Sequence, residues 1–149
     1  MIDVEISGPG IPRLSRSAVR DFVRRALRAI QRAGAATLDP EEVSIAFVDD
    51  GEMRRLNRGF RGRKQTTDVL TFEGDAESQI PDAPRFLGEI VISVDQAKRQ
   101  AAAQRHSLAT EIRYLLLHGL LHAFGYDHET DDGEMDALEM AIRRRVGLP

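Results

Sequence analysis

The chain alternates between stretches whose apolar and polar residues follow the period of a strand and stretches that follow the period of a helix. Residues 2–7 ("IDVEIS") alternate polar and apolar side chains, which predicts a strand. The acidic, proline-containing segment 73–86 predicts a loop between two later strands. Three further segments predict strands: 42–48 ("EVSIAFV"), 67–72 ("TDVLTF") and 87–94 ("LGEIVISV").

Other segments follow the helical period. From Ser15 to Ala33 the apolar residues recur at helical spacing; Ser15 or Ser17 suits the start of this helix, and Gly34 suits its end. A short second helix is predicted through 51–60, with Asp49 or Asp50 as its cap. Three more helices are predicted at roughly 94–104, 107–124 and 132–146.

The predicted order of elements is βαβαββααα, which lacks a regular βαβ alternation. It therefore predicts an α+β fold, a small mixed β-sheet of about four strands packed with about five helices. A length of 149 residues without repeats or a dividing linker predicts a single domain, 1–149.

Composition is that of an ordinary globular protein, with 42% hydrophobic and 30% charged residues. The absence of cysteine excludes disulfide partners and thiolate metal sites. The N-terminus carries acids and no apolar segment typical of a signal peptide, and the longest apolar stretch, 114–126, is too short and interrupted for a membrane span. We therefore expect a soluble cytoplasmic protein with no membrane partner.

The net charge of −3 conceals a separation of charge along the chain. Seven arginines and one acid lie between Arg13 and Arg32, whereas seven acids and no Lys or Arg lie between Asp127 and Glu139. Five arginines of the first helix recur at every fourth residue, which forms a basic ridge along one face: Arg16, Arg20, Arg24, Arg28 and Arg32. The basic ridge is either a solvated face or a surface that binds an anion, for which RNA is the obvious candidate.

Three of the four histidines lie within "HGLLHAFGYDH", 118–128. On a helix, His118 and His122 project from the same face one turn apart, a spacing that lets two imidazoles reach one metal ion. Gly125 permits a turn that brings His128 back towards them. Three imidazoles with an open fourth position predict a catalytic metal site. His106 falls outside this pattern, so we expect a surface residue there.

Ordinary hydrogen-bonded histidines are the alternative to a metal site. The spacing is otherwise that of the metzincin proteases, in which a glutamate that acts as general base follows the first histidine. Gly119 takes that position here and cannot accept a proton, so a protease of the usual type is not expected. The glycine either leaves room for a bulky substrate beside the metal or permits tight packing of the helix.

Two motifs resemble those of the YbeY family, metal-dependent endoribonucleases of bacterial ribosomal RNA maturation. One is "HGLLHAFGYDH"; the other is "LNRGFRGRKQTTDVLTF" (56–72) followed by "LGEIVIS" (87–93). The resemblance extends over at least residues 47–128. Thr66, where the family often has proline, and Ala123, where leucine is common, depart from its pattern.

The resemblance implies one zinc ion held by His118, His122 and His128, and it implies that Arg61 is the functional, catalytic arginine of the cleft. It also implies single-stranded RNA as substrate, with roles in small-subunit ribosomal RNA 3′-end processing and ribosome quality control, and so ribosomal RNA and the small ribosomal subunit as partners. Three imidazoles favour zinc, although nickel, cobalt or copper also bind them.

The chemistry of these side chains suits an RNA substrate. The planar guanidinium of Arg61 matches paired phosphate oxygens and can stabilise charge that develops on them. Asn57 and Asp68 are predicted to bind substrate with it; Asp68 either orients Arg61 or closes a strand end. Asp127 is either a hydrogen-bond partner of a ligand imidazole or a turn residue.

The sequence also allows two functions other than an endoribonuclease. One is a metal-stabilised ribosome-binding module with little catalysis, which the missing base and the basic ridge both fit. The other is a metalloprotease that recruits its base from elsewhere in the chain.

Overall fold

The computed structural model describes residues 1–34, 39–61, 67–74, 83–126 and 131–149, without the side chains of Phe60 and Arg61. In these ranges four strands and five helices follow one another in the predicted order. They are β1 (Asp3–Ser7), α1 (Arg16–Arg32), β2 (Glu42–Val48), α2 (Asp50–Arg61), β3 (Val69–Glu73), β4 (Phe86–Ser93), α3 (Val94–Gln104), α4 (Leu108–Ala123) and α5 (Glu134–Val146).

The four strands form one sheet in the order β1-β2-β4-β3. β1 pairs parallel with β2, and β2 pairs parallel with β4. β3 pairs antiparallel with β4 at the opposite edge. The predicted α+β fold with a small mixed sheet is therefore confirmed.

Both faces of β4 are covered, which explains its almost continuous apolar sequence. Ile90 and Ile92 belong to the main core, which is formed with α1, α4 and α5. Val91 points to the opposite face, where it packs with Met53 of α2 and Leu70 of β3 in a smaller cluster. Helices thus lie on both faces of the sheet, and α4 crosses β3 and β4 on the side of the main core.

Local caps decide between the alternatives that the sequence left open at two helix starts. Ser15, not Ser17, caps α1, because its hydroxyl accepts a hydrogen bond from the Ala18 N–H at 3.0 Å. Asp49, not Asp50, caps α2, because its Oδ1 accepts from the Glu52 N–H at 2.8 Å. The predicted end of α1 is also confirmed, since Gly34 has a φ of +72° directly after the helix.

The first part of the basic ridge binds the free edge of the sheet. Nη1 of Arg16 donates to the carbonyl of Ile6 at 2.6 Å, and Nε of Arg20 donates to the carbonyl of Val4 at 3.1 Å. Nε of Arg24 donates in the same way to the carbonyl of Ile2 at 3.2 Å. These three arginines therefore form neither a purely solvated face nor a free anion site.

None of the helices in the described ranges is both long enough and apolar enough to cross a membrane.

Candidate metal centre

α4 presents His118 and His122 on one face, as their spacing predicted. The two Nε2 atoms lie 3.0 Å apart. The ring centroids are 4.5 Å apart and the ring planes are nearly perpendicular, at 79°. Ser107 fixes the start of α4 by accepting from the Thr110 N–H at 3.1 Å. Gly125, with a φ of +93°, turns the chain after the helix end.

This pair suits a shared cation. Two nitrogens that bind one zinc ion at about 2.0–2.1 Å in tetrahedral geometry lie about 3.3 Å from each other. The observed separation of 3.0 Å differs from that by only a few tenths of an ångström. The donor set and its spacing therefore fit a transition metal ion.

A carboxylate from α5 orients the first of these imidazoles. Oε1 of Glu139 lies 3.3 Å from Nδ1 of His118. Because an ionised carboxylate only accepts hydrogen bonds, Nδ1 carries the proton and the Nε2 of a neutral His118 presents its lone pair towards His122. This is the arrangement by which carboxylates commonly support metal-binding histidines.

Glu139 is itself held in place by Arg143, one turn further along α5. Nη2 of Arg143 donates to Oε2 of Glu139 at 3.3 Å, and its guanidinium carbon lies 4.5 Å from the ring centre of Tyr114 on α4. Sequence reasoning missed Glu139. The spacing of Glu139 and Arg143, four residues apart on a predicted helix, indicates an ion pair between them. No pattern in the sequence indicates that either residue lies near His118.

Gly119 faces the sheet and is buried. A Cβ added there would lie 2.6 Å from Cγ2 of Ile90 and 3.3 Å from its Cγ1. The Gly119 carbonyl accepts from the hydroxyl of Thr71 on β3 at 3.2 Å. Of the two explanations offered by the sequence, tight packing is therefore the one that this contact supports. Ala123, at the end of the same helix, packs against the main core as well.

A polar cleft of about 520 Å³ opens beside the imidazole pair, where α3, α4 and α5 meet the start of β3. Its lining residues are Asp68, Gln100, Gln104, His106, Glu111, Tyr114, Leu115, His118, Glu139 and Arg143. Most of these side chains are polar or charged, so the cleft suits a ligand that offers many hydrogen-bonding groups rather than a purely apolar one.

His106 was expected at the surface, and it lies half-buried in the wall of this cleft. Its side chain is only 25% exposed, and Nε2 lies 2.8 Å from Oε2 of the buried Glu111. Its ring also contacts Tyr114, with centroids 5.5 Å apart. His106 precedes the start of α4 and lines the same cleft as His118.

Asp68 and Asn57 are both within the described residues. Asp68 lines the cleft; Oδ1 accepts from the Val69 N–H at 2.8 Å, and Oδ2 accepts from Nε2 of Gln100 at 3.2 Å. These bonds lie at the start of β3, while the orientation of Arg61 by Asp68 and its contact with substrate stay predictions. Asn57 lies on α2 and is 2% exposed, and its contact with substrate stays a prediction.

The other predicted site residues lie wholly or partly outside the described part of the chain. Arg61 is the last residue of α2, and its side chain is outside. His128, Asp127 and Thr66 are outside as well. Within the described residues, no three His, Asp or Glu side chains form a group that could hold a metal ion, so the three-histidine site stays a prediction that two described ligands support.

Comparison with known proteins gives matches over most of the chain. The family model described as "Endoribonuclease YbeY" matches residues 11–147. A protein named endoribonuclease YbeY from Chloroflexus aggregans is 44% identical over 133 residues, which cover 80% of this chain and 87% of that protein. Its namesake from Roseiflexus castenholzii is 39% identical over 154 aligned positions, covering 99% of this chain and 94% of the relative.

A solved structure has the same fold. The solution structure of a protein from Thermotoga maritima superposes with a TM-score of 0.62 and covers 96% of this chain and 88% of that one. The two sequences are 24% identical, so this likeness concerns the architecture alone.

Proposed function

Since the chain belongs to the family of the endoribonuclease YbeY, we propose that it is a metal-dependent endoribonuclease specific for single-stranded RNA. The family supplies the reaction class, hydrolysis of phosphodiester bonds within RNA. The proposed cellular role is cytoplasmic maturation of the 3′ end of small-subunit ribosomal RNA, together with ribosome quality control. The observation that supports metal dependence most directly is the 3.0 Å approach of the His118 and His122 Nε2 atoms beside a polar cleft.

The proposed ligands are His118, His122 and His128, with zinc as the favoured ion. When bound, the ion would polarise a phosphate oxygen or lower the pKa of a water molecule to about 7. Glu139 accepts a hydrogen bond from the Nδ1–H of His118 and thereby keeps the Nε2 lone pair available to bind the ion.

Other residues of the chain would position the RNA. The proposed role of Arg61 is to bind the scissile phosphate through two guanidinium N–H groups and to stabilise the charge that develops on its oxygens. Gln100 and Gln104 line the cleft and offer amide donors and acceptors that suit base edges and ribose hydroxyls. Asp68 holds the Gln100 amide in place.

Purified protein tests the metal centre before any substrate is needed. We expect elemental analysis to find one zinc ion per chain, and we expect His118→Ala, His122→Ala or His128→Ala to lose it. His106→Ala is the matched control, because it removes an imidazole of the same cleft that lies outside the proposed ligand set. Full metal content in the three ligand variants would refute the proposal.

The activity test uses labelled single-stranded RNA with and without a chelator. Cleavage should require the metal and should be lost in His118→Ala and His122→Ala. Arg61→Ala should reduce turnover while it leaves the metal content unchanged. Cleavage that persists undiminished in the histidine variants would contradict the mechanism.

A ribosome-binding module with little catalysis remains the second candidate, because Arg28 and Arg32 of α1 are exposed basic side chains. It predicts ribosome association that survives Arg61→Ala, together with negligible RNA turnover. The metalloprotease alternative gains no support from Gly119, since that position packs onto Ile90 of the sheet. Peptide hydrolysis sensitive to a chelator would revive it.

A further inference from the structure

The basic ridge of α1 divides into two parts with different surroundings. Arg16, Arg20 and Arg24 donate to backbone carbonyls along β1, and this series ends with the carbonyl of residue 2. Arg28 and Arg32 lie one and two turns beyond Arg24, past the end of the strand. Both side chains are exposed, and within the described residues neither makes a hydrogen bond or an ion pair.

The second part of the ridge forms one wall of a groove between α1 and α5. The groove has a volume of about 690 Å³, and Arg145 of α5 contributes to the opposite wall. Arg25 also lines it, but its charge is offset by Asp21, whose Oδ2 lies 3.2 Å from Nε.

The other three arginines of the groove form no ion pair with any described residue. Among the described side chains, no carboxylate lies within 4.0 Å of the guanidinium nitrogens of Arg28, Arg32 or Arg145. Three like charges around one depression raise the local positive potential, which an anion relieves. Guanidinium groups bind phosphate oxygens in pairs, so arginine is well suited to hold a phosphodiester.

We propose that this groove, named here the α1–α5 groove, binds the phosphate backbone of RNA outside the cleft. The inference rests on the proposed function, in which the substrate is an RNA strand longer than the cleft itself. α5 connects the two places, because Glu139 supports the metal centre and Arg145 lies six residues further on, about 9 Å along the helix axis. A strand held in the groove is thereby kept close to the cleft.

The lining of the α1–α5 groove favours a polyanion over an acidic protein surface. Its described apolar residues are Ala29 and Val146 alone, and no aromatic side chain lines it. Protein interfaces depend on buried aromatic and large aliphatic anchors, which this groove does not offer. Backbone phosphates need only the charges and the guanidinium donors, so binding should be largely independent of base sequence.

The test measures RNA affinity as a function of salt with the full-length, metal-loaded protein. Arg28→Gln/Arg145→Gln removes one charge from each wall of the groove. We expect about a tenfold weaker Kd for a long single-stranded RNA, and a slope of log K against log[salt] that is shallower by about 1.4, or about 0.7 for each lost phosphate contact. Arg28→Lys/Arg145→Lys keeps both charges and should retain most of that slope.

The matched control removes two exposed charges elsewhere. Arg13→Gln/Lys98→Gln lowers the net charge by the same amount and should leave the Kd within about twofold, because neither residue lies in the groove. An equal change in the groove variant and in the control, or an unchanged salt slope in the groove variant, would overturn the inference. Binding of an acidic peptide, without any change in RNA affinity, would overturn it too.

Cleavage of a short RNA that fits within the cleft separates this inference from the proposed function. The groove variant should cleave such an RNA at the rate of the unmodified protein. If the unmodified protein fails to cleave it, the proposed function is wrong, whereas the affinity measurements still decide whether the groove binds RNA.

Discussion

Glu139 determines which nitrogen of His118 carries a proton, and this single contact links two helices at the proposed metal centre. The carboxylate approaches Nδ1 at 3.3 Å, while Arg143 holds its other oxygen at the same distance. Such a partner raises the basicity of the ligand imidazole and fixes the orientation of its ring. Glu139 is therefore a positioning residue, and its removal should lower the affinity of the site for the metal ion.

Glu139→Ala should lower zinc affinity by about 10- to 100-fold, the usual cost of losing the hydrogen-bond partner of a metal-binding histidine. Glu139→Gln keeps an acceptor for the Nδ1–H and should lose less. Equilibrium competition against a chromophoric chelator measures both effects. Asp136→Ala on the same helix removes an exposed carboxylate and should leave the affinity unchanged. Equal affinities in all three variants would show that Glu139 does not support the site.

Gly119 offers a second prediction at the scale of one residue. Gly119→Ala would gain about 1 kcal/mol in helix propensity, but its Cβ would lie 2.6 Å from Cγ2 of Ile90. Because Cγ2 is attached directly to the β-carbon of a stiff, β-branched side chain, overpacking should exceed that gain. We expect a net loss of about 1–2 kcal/mol in the free energy of unfolding, measured by urea denaturation.

Gly59 provides the matched control for that experiment. It also lies within a helix, but a Cβ added there meets no atom of the described residues within 4 Å. Gly59→Ala should therefore stabilise the protein, by about 0.5–1 kcal/mol. Opposite signs for the two substitutions would support the packing explanation, whereas stabilisation by both would refute it.

Among the elements, α1 and β1 show how one periodic pattern can serve the backbone of a neighbouring strand. Four residues of helix advance by about 6 Å, and two residues of strand advance by about 6.6 Å. Arginines at every fourth position of α1 can therefore reach alternate carbonyls of β1, as Arg16, Arg20 and Arg24 do. These bonds also occupy acceptors that an edge strand would otherwise offer to another chain.

Arg20→Ala should lower the free energy of unfolding by about 1–2 kcal/mol, because it leaves the Val4 carbonyl without its charged donor at a half-buried position. Arg28→Ala is the internal control, since it lies on the same ridge but makes no such bond, and it should change stability by less than about 0.5 kcal/mol. Urea denaturation of both variants measures the difference. Equal destabilisation would mean that the bonds to β1 contribute nothing specific.

For the molecule as a whole, the sequence predicted what is local and missed what depends on packing. Apolar period and caps are properties of neighbouring residues, so the order of elements and the approach of His118 to His122 followed from them. The sheet order, the contact of Gly119 with Ile90 and the pairing of Glu139 with His118 each join distant parts of the chain. The spacing of apolar residues along the chain does not predict contacts between such distant residues.

A metal ion at the proposed centre would link α4 to α5. Two proposed ligands lie on α4, the third, His128, precedes α5 in the sequence, and Glu139 of α5 contacts His118. A ligand that binds only the folded state stabilises it by about 4.1 kcal/mol at 1,000 times its Kd. For a chain of this size each kcal/mol shifts the Tm by about 2–4 °C, so a chelator should lower the Tm by about 8–16 °C.

His118→Ala is the control for the chelator experiment, because it shows whether the chelator changes the Tm of a protein that binds no metal ion. This variant should melt at a similar temperature with and without the chelator, because it lacks the ion from the start. The unmodified protein stripped of metal should recover its Tm when zinc is returned, which excludes damage by the chelator itself. If the Tm of the unmodified protein does not respond to the chelator while elemental analysis shows that the ion has left, the metal does not join the two helices. Its role would then be confined to the chemistry of the cleft.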